Sequence, residues 1–198
     1  MTAAQATYPT LAATLWPESK TSPVVRNVTL AIAGTVLLWL SAKIQVPYYP
    51  VPATMQTFVV LALGIAYGPT LGLATMALYL LEGAVGLPVF AGTWSEGGGI
   101  HHLWGPTAGY LFGFVIAGGA CGWLAERGWD RNMVMTAVAM VVGNLIIYAL
   151  GLTWLTIQIG FSDAIKYGIV PFLVLDAIKI ALATCGLPLA WRGISKKN

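Results

Sequence analysis

Charge is what this sequence has least of. Only 9% of its 198 residues are Asp, Glu, Lys or Arg, against 58% apolar side chains, whereas a soluble domain carries roughly 25% charged residues. Such a chain cannot cover a surface that faces water on all sides, and with a mean hydropathy of +0.78 it reads as an integral membrane protein. Nucleic-acid binders, secreted disulfide scaffolds and soluble enzymes are set aside on that ground. Cysteine is nearly as scarce: Cys121 and Cys185 stand far apart in apolar runs with no CxxC, as small packing residues do. The phosphate loop G-x-x-x-x-G-K-[ST], H-E-x-x-H and G-x-S-x-G are all missing, so ATP hydrolysis through that loop and the commoner membrane hydrolase chemistries are excluded. Residues 1–23 have no basic start followed by an apolar core, so no cleavable signal is expected and the first hydrophobic segment should stay as an anchor.

What is present is long uncharged chain. Residues 44–81, 97–125 and 132–162 hold no Asp, Glu, Lys or Arg, and a spanning helix needs about 20 apolar residues. Pro47, Pro50, Pro52 and Pro69 break the first stretch, because each ring removes an amide donor and crowds the preceding turn. The expected fold is all-α, with six transmembrane helices at 26–45, 53–67, 70–87, 104–125, 133–158 and 171–191. Further expectations are a short interfacial piece around Leu11 to Trp16 and an amphipathic helix over 162–169 before Pro171. Gly86-Leu87-Pro88 and Gly186-Leu187-Pro188 both read as helix ends. The chain divides into a polar N-terminal tail (1–25), a six-helix substrate-binding domain (26–191) and a basic tail (192–198).

Six spans place Lys20, Arg26, Arg127, Arg131, Arg192, Lys196 and Lys197 on one side and Lys43 and Lys166 on the other, with Lys179 inside a span. The positive-inside rule then makes both termini cytoplasmic. Loops 46–52, 88–103 and 159–170 face outward.

Glu82, Asp176 and Lys179 remain in or near the membrane, where an ionisable group is a functional hypothesis by default. Asp176 and Lys179 are three apart and share a helix face. They are either a mutually satisfied ion pair or a matched donor and acceptor for a cyclic urea or amide. Gln56, with Thr54 and Thr57, either satisfies backbone freed by the prolines or joins a site at the outer end of the second segment. Asn144 and Tyr148 share a face four apart, as interhelical glue or as pocket wall. Tyr79, Phe90, Trp94, Trp104 and Tyr110 either wall a pocket for a flat or thioether-bearing ligand or belong to interfacial belts. His101-His102 has only Glu96 nearby in its loop, a poor ligand set for a metal; a place near an anionic ligand group is the better reading. No metal or cofactor is expected.

Taken in order, Val51-Pro52-Ala53-Thr54-Met55-Gln56-Thr57, the run Leu78-Tyr79-Leu80-Leu81-Glu82-Gly83-Ala84-Val85-Gly86-Leu87-Pro88-Val89-Phe90-Ala91-Gly92, then Gly105-Pro106-Thr107-Ala108-Gly109-Tyr110-Leu111, and Pro171-Phe172-Leu173 with Asp176 and Lys179 resemble the biotin-transport substrate-binding components, BioY. The resemblance covers residues 40–190. It implies a six-helix S-component of an energy-coupling-factor (ECF) transporter in a bacterial cytoplasmic (inner) membrane. It also implies biotin bound from outside at a site that includes Asp176 and Lys179, and, as partners, a transmembrane coupling subunit and two ATPases. Thr54, Gln56, Glu82, Phe90, Tyr110, Asn144 and Tyr148 complete the candidate ligand site, with no catalytic residue. An S-component for thiamine or riboflavin and a membrane-embedded enzyme are the competing readings. Two features depart from the family pattern. The docking stripe of S-components, Ala-x-x-x-Ala, is here Ala31-x-x-x-Thr35 with Trp39 one turn on. Residues 88–104 hold no Arg for the biotin carboxylate, leaving His101, His102, backbone amides, Lys43 or Lys166.

Overall fold

The structure, a computed structural model, describes residues 8–17, 22–92 and 98–195. Local chemistry accounts for most element ends. Thr10 caps α1 (Leu11–Leu15) by accepting from the Ala13 amide, and Pro23 opens α2 (Pro23–Lys43), where its missing amide costs nothing. Gly68, at φ 83°, ends α3 (Gln56–Tyr67), and Pro69 starts α4 (Pro69–Ala84). A Thr107 turn leads into α5 (Ala108–Ala125). Asn132 caps α6 (Met133–Ile159) by accepting from the Val134 and Met135 amides. Gly160, φ 85°, separates α6 from α7 (Phe161–Gly168), and α8 (Leu173–Ser195) closes the chain.

The helices α2, α5, α6 and α8 are long and apolar enough to cross a membrane. At about 1.5 Å per residue, α3 with 12 residues and α4 with 16 reach roughly 18 and 24 Å, short of a ~30 Å hydrocarbon core. The six expected segments therefore all exist as helices, four of them of spanning length. The amphipathic piece at 162–169 is α7, and the one near Leu11 is α1. The proline-rich connection hides a hairpin the sequence did not suggest: β1 (Gln45–Val46) pairs antiparallel with β2 (Ala53–Thr54).

One expectation is overturned. Gly186-Leu187-Pro188 does not end a helix, since α8 runs through Pro188. Gly86 turns to φ 103° and stops α4, but Gly186 keeps negative φ. A proline inside a membrane helix forfeits one bond of a long ladder, which neighbouring helices tolerate.

The central helix is α5, 67% buried against 22% for α2. Its glycines explain why. A methyl on Gly109 would lie 2.4 Å from Leu150 O and one on Gly113 3.0 Å from the Ile147 Cα, both on α6; on the opposite face, a methyl on Gly64 of α3 would meet Gly118 O at 2.5 Å. Lipid offers no hydrophobic drive between helices, so close backbone approach at small residues supplies the association. Val24, Val25, Val28, Ile32, Val36, Leu37 and Leu40 cover the exposed side of α2, the apolar exterior expected of a multi-pass membrane protein.

Residues 8–17 pack under the bundle. The Tyr8 amide donates to Glu126 O, and Leu11 is buried.

Candidate functional site

A cavity of about 50 Å³ opens between the β1–β2 loop, α3, α5, α6 and the start of α8, lined by Val51, Pro52, Thr54, Thr57, Tyr110, Phe114, Asn144, Ile147, Tyr148, Phe172, Asp176 and Lys179. Several elements build it. The hairpin brings Val51, Pro52 and Thr54 to the cavity, and Tyr48 sets its ring edge-on to Phe172 with centroids 6.4 Å apart. Tyr110 lies in a slot made by Gly151 and Gly168, where added methyls would sit 2.4 and 2.5 Å from it, and its hydroxyl donates to Gly168 O. α7 thereby holds one wall.

Asp176 and Lys179 are each 5% exposed. Asp176 occupies the first turn of α8, where the helix dipole favours a negative charge. Lys179 Nζ donates to Asp176 Oδ1 at 2.8 Å and to Thr57 Oγ1 at 2.8 Å. Thr57 donates to the same Oδ1 at 3.4 Å, and the Tyr148 hydroxyl donates to Oδ2. Three helices thus converge on one carboxylate. The pair is neutral as a unit, which is what makes its burial tolerable, and it sits on a wall rather than in solid core.

Thr54, Tyr110, Asn144, Tyr148, Asp176 and Lys179 come together at the cavity. Gln56 stands behind that wall: its backbone N–H donates to Thr54 Oγ1, Thr54 Oγ1 donates to Gln56 Oε1, and Gln56 Nε2 donates to the Tyr79 hydroxyl. Tyr79 passes the connection on to Val89 O at 2.6 Å. Phe90 is buried beside Tyr79, ring centroids 5.5 Å apart, against Gly83, where a methyl would collide with its ring at 2.0 Å. It anchors the 88–92 segment and does not line the cavity. Glu82 faces α2 and accepts from Thr35 Oγ1 at 3.0 Å. Thr35, 3% exposed, is therefore turned into the bundle, leaving Ala31 without a matching surface residue one turn on. Trp104 is 70% exposed and neighbours Trp154.

The candidate partners for a carboxylate also lie off the cavity. Lys43 donates to Phe90 O, Lys166 stacks over Tyr167, and His101 and His102 have centroids 4.3 Å apart beside Phe90. Burial, and then the neighbouring His101, hold the His102 pKa below the usual imidazole value. Among the described residues no group of three or more His, Cys, Asp or Glu could hold a metal. Trp94 and Glu96 fall outside the described residues.

Sequence reasoning noted Thr57 but gave it no part in the ion pair. It missed Val51, Pro52, Phe114, Ile147 and Phe172 as lining. Phe114 follows Tyr110 by four positions and Ile147 follows Asn144 by three, so helical spacing from the named residues was the available signal.

The BioY family profile matches residues 10–196. The chain is 38% identical over 158 residues to a probable biotin transporter BioY of Pyrococcus horikoshii, covering 80% of this chain and 91% of that one. It is 40% identical over 160 residues to the biotin transporter BioY of Thermotoga maritima, covering 80% and 92%. In fold it resembles the crystal structure of the S-component for biotin from an ECF-type ABC transporter, with a TM-score of 0.71 at 20% identity over 89% of this chain and 94% of that one.

Proposed function

This chain belongs to the BioY family, and from that premise we propose that it transports biotin as the substrate-binding S-component of an ECF-type transporter. It is a transport component, not an enzyme. One observation carries the ligand reading: a buried Asp176–Lys179 pair on a cavity wall. A ureido ring presents a carbonyl between two N–H groups. Lys179 has three donors and spends two, and Asp176 has about four acceptor positions and spends three, so each retains one for such a ring. Tyr110, Phe114 and Phe172 supply apolar wall for the rest of the ligand.

In this reading residues 26–191 form the substrate-binding domain, with both termini on the cytoplasmic side of a bacterial inner membrane, supported by the seven-to-two distribution of basic residues. A transmembrane coupling subunit and two ATPases complete the system. Because the chain has no phosphate loop, uphill uptake rests on that module, and the isolated chain in liposomes should at most equilibrate biotin. The deciding experiment titrates the purified protein with biotin, thiamine and riboflavin. Saturable binding of biotin alone is expected; a preference for another vitamin, or no binding of biotin, overturns the reading.

A further inference from the structure

Resting on the ureido reading above, the hydrogen-bond inventory of the cavity points to one more determinant of specificity. A ureido ring has three polar groups to satisfy, and the Asp–Lys pair accounts for two: the carbonyl on the third Lys179 proton and one N–H on the last lone pair of Asp176. The second N–H needs another acceptor, because a buried donor left unpaired forfeits its hydration.

Asn144 also lines the cavity. It is 7% exposed, and its Oδ1 is buried and accepts no hydrogen bond. The neighbouring polar groups are already committed: Tyr148, one helical turn along α6, donates to Asp176, and Thr57 is held between Lys179 and Asp176. A buried carbonyl oxygen with nothing bonded to it is costly in a membrane, and such groups in native proteins call for a partner. We infer that Asn144 Oδ1 accepts the second ureido N–H, so that the site reads both nitrogens of the ring rather than one.

The test uses biotin and its two ureido mono-N-methyl isomers, each methylated on a different ring nitrogen, with the full-length protein in detergent. Wild type should bind biotin and reject both isomers. In Asn144→Leu, biotin affinity should fall roughly ten- to a hundredfold, the scale of one buried donor left unpaired. The isomer methylated on the nitrogen facing position 144 should lose much less, so its discrimination against biotin should collapse while that of the other isomer persists. This ratio does not depend on the active fraction, so a poorly folding preparation still reports it. Asn144→Asp, the same size with an acceptor retained, should keep the discrimination. Unchanged biotin affinity in Asn144→Leu, or an equal loss for biotin and both isomers, overturns this inference alone. Wild type that binds biotin no better than thiamine or riboflavin overturns the ligand reading and this inference with it.

Discussion

Two buried carboxylates at opposite ends of the bundle are put to different use. Asp176 has a cation, two hydroxyls and a cavity beside it. Asp130, 1% exposed, accepts from Trp191 Nε1 at 2.5 Å while its Oδ1 has no partner. Arg131 is spent nearby, its guanidinium 4.0 Å over the Trp191 ring and 5.0 Å over that of Tyr8, with a hydrogen bond to Pro9 O. That cluster ties the N-terminal segment, the 126–132 loop and the end of α8 together. Burial of an acid therefore does not by itself mark a ligand site; Asp176 is paired with a buried cation and itself lines a cavity, and Asp130 does neither. Asp176 fits the proposed ligand site and Asp130 a joint.

The largest effect that separates them is loss of the cation. Lys179→Met strands the Asp176 charge and should cost about 3–5 kcal/mol of stability, together with biotin binding. The double variant Lys179→Met with Asp176→Leu should regain most of the stability, since an apolar pair of similar volume is often neutral or better, yet bind no biotin. Thermal unfolding and ligand titration of the two variants decide it. A double variant that still binds biotin would make the Asp176–Lys179 pair a second joint, and the contrast would vanish.

The Asp176–Lys179 pair was legible because i, i+3 charges inside an apolar run are rare and geometry then fixes their common face. Helix positions were legible for a similar reason: the span expected at 133–158 within the charge-free run 132–162 agrees with α6 (Met133–Ile159) to within a residue at each end. What could not be read was side-chain direction across elements. Gln56, Phe90 and Glu82 lie next to the cavity in sequence terms, but Gln56 turns to Tyr79, Phe90 fills the space above Gly83, and Glu82 faces Thr35. Those choices depend on which helix packs where. The β1–β2 hairpin was equally invisible, because two-residue strands in a proline-rich loop carry no alternation to detect. Gly186-Leu187-Pro188 misled because the same tripeptide pattern stops α4, and only the φ of the glycine distinguishes the two.

A smaller effect probes the joint. Trp191→Phe removes the side-chain donor to Asp130 and leaves a buried acceptor unsatisfied, which should lower stability by about 1–3 kcal/mol. Biotin affinity should be unchanged, since the joint lies at the other end of α8. A fall in affinity comparable to that of Lys179→Met would mean that the two ends act as one unit.

The smallest effect is a pH slope. Burial raises the Asp130 pKa above its ordinary value of 3.8, while the Trp191 hydrogen bond, its own backbone N–H and the charge of Arg131 pull it back in part. Between the ordinary value and the raised one, the folded protein holds more protons at this position than the unfolded chain. Stability from this group is therefore fully present below the unfolded pKa and is lost as pH rises through the folded one. Asp130→Asn keeps an acceptor for Trp191 but cannot titrate. Unfolding midpoints of the two proteins, measured in detergent from about pH 4 upward, should show wild type losing stability relative to Asp130→Asn as the pH rises, with the difference levelling off above the folded pKa. Asp176 and the other carboxylates titrate in both proteins and cancel in the difference. A difference that is flat across the range, or that favours wild type as pH rises, would show that Asp130 is held as a carboxylate by Arg131 and Trp191, and the joint would then resemble the Asp176–Lys179 pair in its charge.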